Sequence, residues 1–447
     1  MENNHHQRRL PKFRRLVFFL LLIPLIFFLY NTILKLDLLP FAGANNETEP
    51  VTLSFVVPQE EAPHWQPLIA QFEAKNEGIK IKLAKFNSDN TDELKNAYIT
   101  AFNNSQSYDL IYMDIIWVPE FVENDRLMDL TKEFPEKDKL KTEFFESEVY
   151  NAFYKDKLYR IPFRTDVGVL YYRKDLLDEA GFSPPKTFDD LKKISKELQK
   201  QNKARWGYLW QGRKTEALSA MFVEVLKGHG GEWINTEKKT VGLNQQEAKD
   251  AVKFLRSTIE EGISPPEMTE YEEKDTRDLF RNGQAVFMRN WPDVWDEANK
   301  PGSPVRGKIA ITSMVRAVGK ERSGACLGGW GFGIAKNIKP KHRQAALQAI
   351  KFFTSAAVQR QFTLAHPYVP SYRKLLLEPK IVTKYNHYPE LLNVIDKSWV
   401  ARPRIPEYEE ASRILQEHLS AAIKGDSTAD EAMDQATRET KDRLGWS

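Results

Sequence analysis

The chain has 447 residues, of which 41% are hydrophobic and 28% are charged, as in an ordinary globular protein. This length exceeds what one hydrophobic core usually serves, so it predicts two domains. The net charge of +3 is small for so long a chain, which argues against nucleic acid as the natural partner.

The first fifty residues differ in composition from the rest. Basic residues at 8–15 precede an apolar run over 16–34, and this order predicts an export signal or a membrane anchor within residues 1–44. The run approaches the ~20 residues that span a bilayer and exceeds the ~7–15 of a cleaved signal. Residues 42–44 (AGA) nevertheless form a plausible cleavage site. Both outcomes stay open, with an uncleaved anchor slightly favoured, and the chain from about residue 45 is expected outside the cytoplasmic membrane.

Hydrophobic periodicity then predicts an α/β region. The predicted elements are strands over 51–57, 79–83 and 109–113, and helices over 63–75 and 92–102. This alternation predicts a parallel sheet with helices on its faces. Ligands of such sheets collect beyond the carboxyl ends of the strands, where Glu60, Glu61 and Asp114 stand.

A second α/β pattern follows two further strands at 157–162 and 166–172. Its predicted helices cover 174–180, 187–201, 214–227, 245–261 and 277–282, and its strands cover 206–210, 285–288 and 308–312. From residue 341 the chain is predicted to be almost wholly helical. Two α/β units predict two lobes, and the cleft between lobes is the natural ligand site.

The stretch 327–333, LGGWGFG, combines small and aromatic residues. Glycine lets the backbone approach a ligand closely, and Trp330 offers a flat apolar face with one donor at its edge. This pairing suits a polyhydroxylated ring. The alternative is a glycine-kinked strand that packs Trp330 into the core.

Cysteine and histidine usage indicates neither disulfides nor metals. Cys326 is the only cysteine, so no disulfide can form within one chain, and it is interpreted as a packing residue. The eight histidines show no metal-ligand spacing. We therefore expect no cofactor and no metal.

Several motifs in colinear order resemble one known family. They are DLIYMD (109–114), LYYRKDL (170–176), WQG (210–212), ISPP (263–266), RNWP (289–292), LGGW (327–330) and RPRIP (402–406). Together they resemble the extracellular solute-binding proteins of bacterial ABC importers, family 1. The likeness runs from Val51 to the carboxyl terminus and is greatest to the trehalose/maltose-binding branch, whose relatives also carry sucrose or glucosylglycerol.

The resemblance implies an α/β fold of the periplasmic-binding-protein type, a two-lobed clamshell. Each lobe would be a mixed sheet flanked by helices, followed by a helical C-terminal tail. Lobe 1 would comprise 45–162 and 307–365, and lobe 2 would comprise 163–306 and 366–447. The ligand-binding residues that the resemblance implies are Glu61, Asp114, Asp166, Trp291, Gly328, Gly329, Trp330 and Arg402.

The sequence departs from the family pattern at two places. Arg164 stands where the disaccharide binders have a tyrosine, and Leu94-Lys95 replaces a pair of arginines. Alternatives also stand beside the implied roles. Asp114 could cap the following helix, Asp166 could pair with Arg164, and Glu60 could replace Glu61. Trp291 could be a core residue and Arg402 a brace for the tail.

The resemblance implies a binding role rather than an enzymatic one. The chain would capture a di- or oligosaccharide, or a sugar-derived compatible solute, and deliver it to an ABC permease, acting as a monomer. The alternative is a secreted or anchored carbohydrate-active enzyme, such as a glycosidase or lyase, because paired carboxylates across a cleft also serve glycoside hydrolysis.

Overall fold

The structure, a computed structural model, describes residues 50–87, 91–104, 108–135 and 137–447. The predicted signal or anchor within 1–44 lies outside these residues. Val51 to Ser447 form one compact unit. Among the described residues, none of the helices is long and apolar enough to cross a membrane.

Helices and strands alternate through most of this unit. The strands are β1 Val51–Pro58, β2 Ile79–Phe86, β3 Leu110–Asp114, β4 Phe153–Tyr154, β5 Lys157–Leu158, β6 Ile161–Val167, β7 Val169–Arg173, β8 Trp206–Leu209, β9 Ile234–Asn235, β10 Thr240–Val241, β11 Ala285–Asn290, β12 Ile309–Thr312, β13 Ala325–Ile334, β14 Val369–Pro370 and β15 Trp399–Val400. The helices are α1 Ala62–Lys75, α2 Thr91–Asn103, α3 Val118–Glu123, α4 Lys137–Glu143, α5 Glu146–Ala152, α6 Lys174–Ala180, α7 Phe188–Lys200, α8 Glu216–Gly228, α9 Gln246–Glu260, α10 Glu273–Arg281, α11 Val294–Asn299, α12 Pro340–Phe353, α13 Ala356–Ala365, α14 Pro379–Lys384, α15 Tyr388–Ser398, α16 Tyr408–Lys424 and α17 Ala429–Leu444.

The first strands and helix form as their periodicity predicts. Helix α1 buries Trp65, Leu68 and Phe72, which recur at the spacing of one helical face. Strands β1 and β2 pair in parallel, with Val51 opposite Ile79.

The expected third parallel strand is the exception, and that prediction is wrong. Strand β3 pairs antiparallel with β13 instead, and among the described residues it forms no ladder with β1 or β2. One Asp109 carboxylate oxygen accepts hydrogen bonds from both the backbone N–H (2.9 Å) and the hydroxyl (3.0 Å) of Ser54. The Asp109 side chain therefore accepts the hydrogen bond of the Ser54 backbone N–H, which a neighbouring strand would otherwise accept.

Strand β13 is the centre of the sheet that carries the glycine-rich stretch. It lies between β6 and β3, antiparallel to both, and its first residues also pair in parallel with β15. All ten residues of β13 are buried. A second sheet has the strand order β12-β7-β11-β8.

Two separate hydrophobic clusters pack on these sheets. One draws its residues from 53–163 and 330–362, and the other mainly from 167–327 and 369–436. The chain therefore passes from one cluster to the other within β6 and again within β13 near Gly328. The lobe boundaries given above stay a prediction. Ile309 and Ile311 pack in the second cluster, which favours placing the return to lobe 1 near Gly328.

The carboxyl-terminal region is helical, as predicted. Helix α16 ends at Gly425, whose φ of +88° is the left-handed conformation that glycine adopts readily. Helix α17 begins with a capping box between Thr428 and Glu431. Helices α16 and α17 pack against the second hydrophobic cluster through residues such as Leu415 and Met433.

Candidate functional site

The candidate site is built around the glycine-rich half of β13. Gly328 is opposite Asp166 on β6, and Trp330 is opposite Arg164 on β6 and Asp114 on β3. Strand pairing alone thus brings four predicted site residues together from three distant parts of the chain: Asp114, Asp166, Gly328 and Trp330.

Gly328 allows Asp166 and Trp291 to approach the strand closely. A Cβ atom at this position would lie 3.1 Å from the Asp166 Cβ and 3.2 Å from the Trp291 ring. Gly329 has a φ of +125°, and a Cβ there would lie only 2.6 Å from a Glu148 carboxylate oxygen. Gly329 therefore needs glycine for steric reasons, and at Gly328 any larger residue would require Asp166 or Trp291 to shift by a few tenths of an ångström.

Arg402 links Asp114 to the helical region of the second cluster. Its Nη2 donates to Asp114 Oδ1 (3.3 Å) and to the Leu327 carbonyl (3.3 Å), while its Nη1 donates to Glu216 Oε1 (2.7 Å). Asp114 also accepts from the Ile116 N–H at 3.2 Å, so it caps the short 3-10 turn that follows β3. Both sequence interpretations of Asp114, as cap and as site residue, thus agree with its position.

Arg164 is paired with Glu61 rather than with Asp166, which corrects the expected alternative. Its Nη2 donates to Glu61 Oε1 at 2.9 Å, and both side chains are buried. The guanidinium carbon lies 4.2 Å from the ring centre of Tyr368 and 5.4 Å from that of Trp330. Glu60 is exposed, whereas Glu61 is buried against Arg164.

The two predicted stacking residues have different surroundings. Trp291 is partly exposed; its Nε1 donates to Glu273 at 3.2 Å, and the Arg289 guanidinium lies 4.3 Å from its ring centre. Trp330 is only 8% exposed and packs against the rings of Tyr112 (5.0 Å) and Trp117 (5.5 Å). Trp291 is therefore the more accessible indole.

Burial raises the pKa of three carboxyl groups near the site, those of Asp166, Asp293 and Glu148. It raises the pKa of Asp166 well above its ordinary value; the nearby Arg164 lowers it, and other acids such as Asp293 raise it further. Burial likewise raises the pKa of Asp293, against the lowering effect of Arg277 and Arg164. Glu148, which is ion-paired with Arg160, also has a pKa raised mainly by burial.

Sequence reasoning missed several residues that surround the predicted ones. Asp293 follows Trp291 by two positions, Tyr368 lies in the proline-flanked interruption of the helical tail, and the buried Tyr388 begins α15. The electrostatic neighbours of the Tyr388 hydroxyl include Asp166 and Asp293. The sequence signals for Asp293 and Tyr368 are their nearness to the RNWP motif and to the prolines at 367 and 370, and Tyr388 has no such signal.

A cavity of about 180 Å³ lies between α2, α8 and α16, and the Arg402 partner Glu216 is among its lining residues. Lys95, noted above as a departure from the family pattern, lines it and forms ion pairs with Glu120 at 2.9 Å and with Glu409. Asp92 also lines it, and burial together with the charges of Glu216 and Glu409 raises the Asp92 pKa to about 6.

Three further tryptophans, for which a role in the core is the expected one, and Cys326 are buried. Trp65, Trp117 and Trp210 are at most 1% exposed, and Cys326 is fully buried. The indole of Trp210 donates to Thr258 at 3.1 Å, as a satisfied core residue does. These predictions are confirmed.

The chain is similar to known proteins in sequence and in fold. Residues 58–360 match the family described as bacterial extracellular solute-binding protein. A probable ABC transporter-binding protein of Deinococcus radiodurans is 29% identical over 335 residues, which cover 74% of this chain and 78% of the relative. The maltotriose-binding protein of Pyrococcus abyssi is 25% identical over 291 residues, covering 65% of this chain and 60% of that protein.

Among solved structures, maltose-bound MalE3 of T. maritima superposes with a TM-score of 0.81 at 30% identity, over 88% of this chain and 100% of the other. The predicted two-lobed α/β fold with its helical C-terminal region is thereby confirmed. The family match covers well over half of the chain. The chain therefore belongs to the bacterial extracellular solute-binding proteins, as its motifs predicted.

Proposed function

We propose that this solute-binding protein captures a short saccharide, or a sugar-derived compatible solute, and delivers it to an ABC permease. The observation that carries the proposal is the convergence at Gly328. There Asp166 and Trp291 meet the strand, while Asp114 and Arg402 lie beside the neighbouring Trp330 and Leu327. A carboxylate can accept two hydroxyl hydrogens, and an indole face can cover the apolar face of a pyranose.

The similar proteins support a sugar as the ligand. One is a maltotriose-binding protein by name, and the structure of another contains maltose. Burying Trp291 against a sugar ring would contribute roughly 25 cal/mol per Å² of apolar surface. Each charge-assisted hydrogen bond in a closed cleft would add about 1.5–3 kcal/mol.

The proposed working step is closure of the lobes. Arg402 is suited to this step because it contacts Asp114 from the first cluster region and Glu216 from the second. A ligand that touches both lobes binds the closed state better and shifts the population towards it. A ligand with equal affinity for open and closed states would transmit nothing to the permease.

A thermal-shift screen tests the proposal. The soluble part is melted with trehalose, maltose, sucrose, glucosylglycerol and a set of mono- and trisaccharides. We expect at least one sugar to raise the melting temperature in a concentration-dependent way, because ligand that binds only the folded state stabilises it. A cooperative melt that none of these solutes shifts would refute a saccharide ligand.

The raised pKa values of Asp166 and Asp293 favour examining a second candidate, a carbohydrate-active enzyme. Hydrolysis of glycosides needs a carboxyl group that stays protonated, as a raised pKa allows. The discriminating test is incubation with trehalose, sucrose and glucosylglycerol and assay of free glucose. Release that disappears in Asp166→Asn would identify an enzyme, whereas intact sugar with a thermal shift identifies a binder, which is our proposal.

The family is extracytoplasmic by description. We further propose that the protein is a monomer and that residues 16–34 can hold it at the cytoplasmic membrane. The intact mass of protein extracted from membranes tests the anchor. A mass equal to that of the full chain, with residues 1–44, supports the anchor. A mass equal to that of a chain that starts near residue 45 shows cleavage instead.

A further inference from the structure

Arg164 and Glu61 form a joined pair beside the candidate sugar site. Glu61 precedes helix α1 and Arg164 lies on β6, and they meet through one hydrogen bond of 2.9 Å. Side chains two positions apart on a strand point to the same face, so Arg164 shares a face with Asp166. Asp166 in turn contacts Gly328, where Trp291 also lies.

Each member of the pair keeps one polar atom without a hydrogen bond. Among the residues that the structure describes, Arg164 Nε and Glu61 Oε2 have no hydrogen-bond partner. Both residues are buried, since Arg164 is only 8% exposed and Glu61 only 6% exposed. A buried donor or acceptor that forms no hydrogen bond costs free energy. Such atoms therefore usually mark a strained or ligand-binding site. Here one is a donor and the other an acceptor.

Two aromatic rings hold the guanidinium in place. Tyr368 lies 4.2 Å and Trp330 5.4 Å from its central carbon, at ring-centre distances typical of cation–π contacts. Arg164 is therefore oriented before any ligand arrives. The nearly buried Trp330 serves this arrangement directly through its contact with Arg164.

We propose that the Glu61–Arg164 pair recognises one ligand hydroxyl, with Arg164 Nε–H donating to its oxygen and Glu61 Oε2 accepting its proton. This assignment rests on the proposed function and makes Arg164 a specificity-determining residue. The charge of Arg164 is already balanced by Glu61, so the pair favours a neutral hydroxyl over an anionic group such as a phosphate or carboxylate.

Arg164→Lys is the sharpest test, because lysine keeps the charge beside Glu61 but lacks the second N–H of the planar fork. With the neutral sugar that gives the largest thermal shift in the wild type, we expect calorimetry to show about tenfold weaker binding or more. The melting temperature without sugar measures separately how much stability is lost with the ring contacts of the guanidinium. Arg360→Lys, which alters the part-exposed Arg360–Glu378 pair, is the matched control and should bind as the wild type does.

Glu61→Gln supplies a readout that a purely structural pair would not change. Glutamine can still accept the hydrogen bond from Arg164 but removes the opposite charge, so the ratio of glucose 6-phosphate affinity to glucose affinity should rise by about threefold or more. The double variant should bind about as weakly as the weaker single variant, because either change alone removes the two-point contact.

The outcomes separate the two proposals. Wild-type protein that binds no neutral sugar overturns the proposed function and this inference with it. If the wild type binds a sugar and Arg164→Lys stays within twofold of it, only the role of Arg164 fails. An affinity ratio that Glu61→Gln leaves unchanged likewise refutes the charge-balancing role of the pair.

Discussion

At the scale of single residues, one substitution at Asp114 can distinguish its role as a cap from its role as a charged site residue. Its Oδ1 accepts from the Ile116 N–H and from Arg402. Asn in place of Asp keeps an acceptor for the cap but removes the charge, and Arg402 retains Glu216. We expect Asp114→Asn to weaken binding of the sugar found in the screen by about tenfold to a hundredfold, with a small change in melting temperature. Isothermal calorimetry measures this, and affinity within twofold of wild type would contradict it.

Asp92 gives a residue-scale prediction about pH. Its pKa is about 6 in the folded protein against an ordinary 3.8, so between these values the folded state holds a proton that the unfolded state has lost. The ionised group therefore costs stability fully above pH 6, and this cost disappears as the pH falls towards 4. We expect Asp92→Asn to increase the free energy of unfolding at pH 7.5 by on the order of 1–3 kcal/mol and to change it little at pH 4.

Thermal melts of the Asp92→Asn variant and the wild type at both pH values check the sign. The exposed Glu77→Gln serves as the control and should shift neither melt. Destabilisation at pH 7.5, or an equal gain at both pH values, would show that burial and the charges of Glu216 and Glu409 do not strain this carboxylate.

At the scale of elements, β13 depends on its glycines. A Cβ at Gly329 would meet Glu148 at 2.6 Å and the Arg164 carbonyl at 2.9 Å, and the φ of +125° is unfavourable for other residues. We expect Gly329→Ala to lower the free energy of unfolding by about 2–4 kcal/mol. Gly262→Ala is the control, since its φ is +67° but nothing lies within 4 Å, and it should cost only about 1 kcal/mol. Equal losses in denaturant titrations would refute a steric role for Glu148.

A comparison of the predicted and observed elements shows which features local sequence patterns can predict. Helices such as α1 and α9 begin and end within a few residues of the predicted positions. Their apolar residues recur at helical spacing, so the local sequence alone predicts which face is buried. The pairing of β3 was predicted wrongly for a physical reason. Its hydrogen-bond partner β13 begins about two hundred residues later, and periodicity carries no information about so distant a neighbour.

For the whole molecule, closure should change its dimensions. Several contacts that bridge the two clusters are polar, namely Arg402 with Asp114 and Glu216 and Lys95 with Glu409, and these contacts can separate without exposing apolar surface. We expect small-angle scattering to give a smaller radius of gyration with the bound sugar than without it.

Trp291→Ala is the control for this scattering prediction, because loss of the accessible indole should remove most of the change at the same sugar concentration. Saturation of the wild type with sugar at constant radius of gyration would contradict ligand-driven closure. In that case binding would occur within one already closed state.

The sequence by itself determined the alternation of strands and helices, the glycine-rich strand and the family, because these follow from local periodicity and colinear motifs. Only the tertiary structure decided the partners of the charges. Arg164 pairs with Glu61 across 103 positions rather than with the nearby Asp166, and Arg402 meets Asp114 across 288. Such pairs depend on how distant strands align in a sheet. That alignment is set by the packing of the whole chain and not by any short stretch of it.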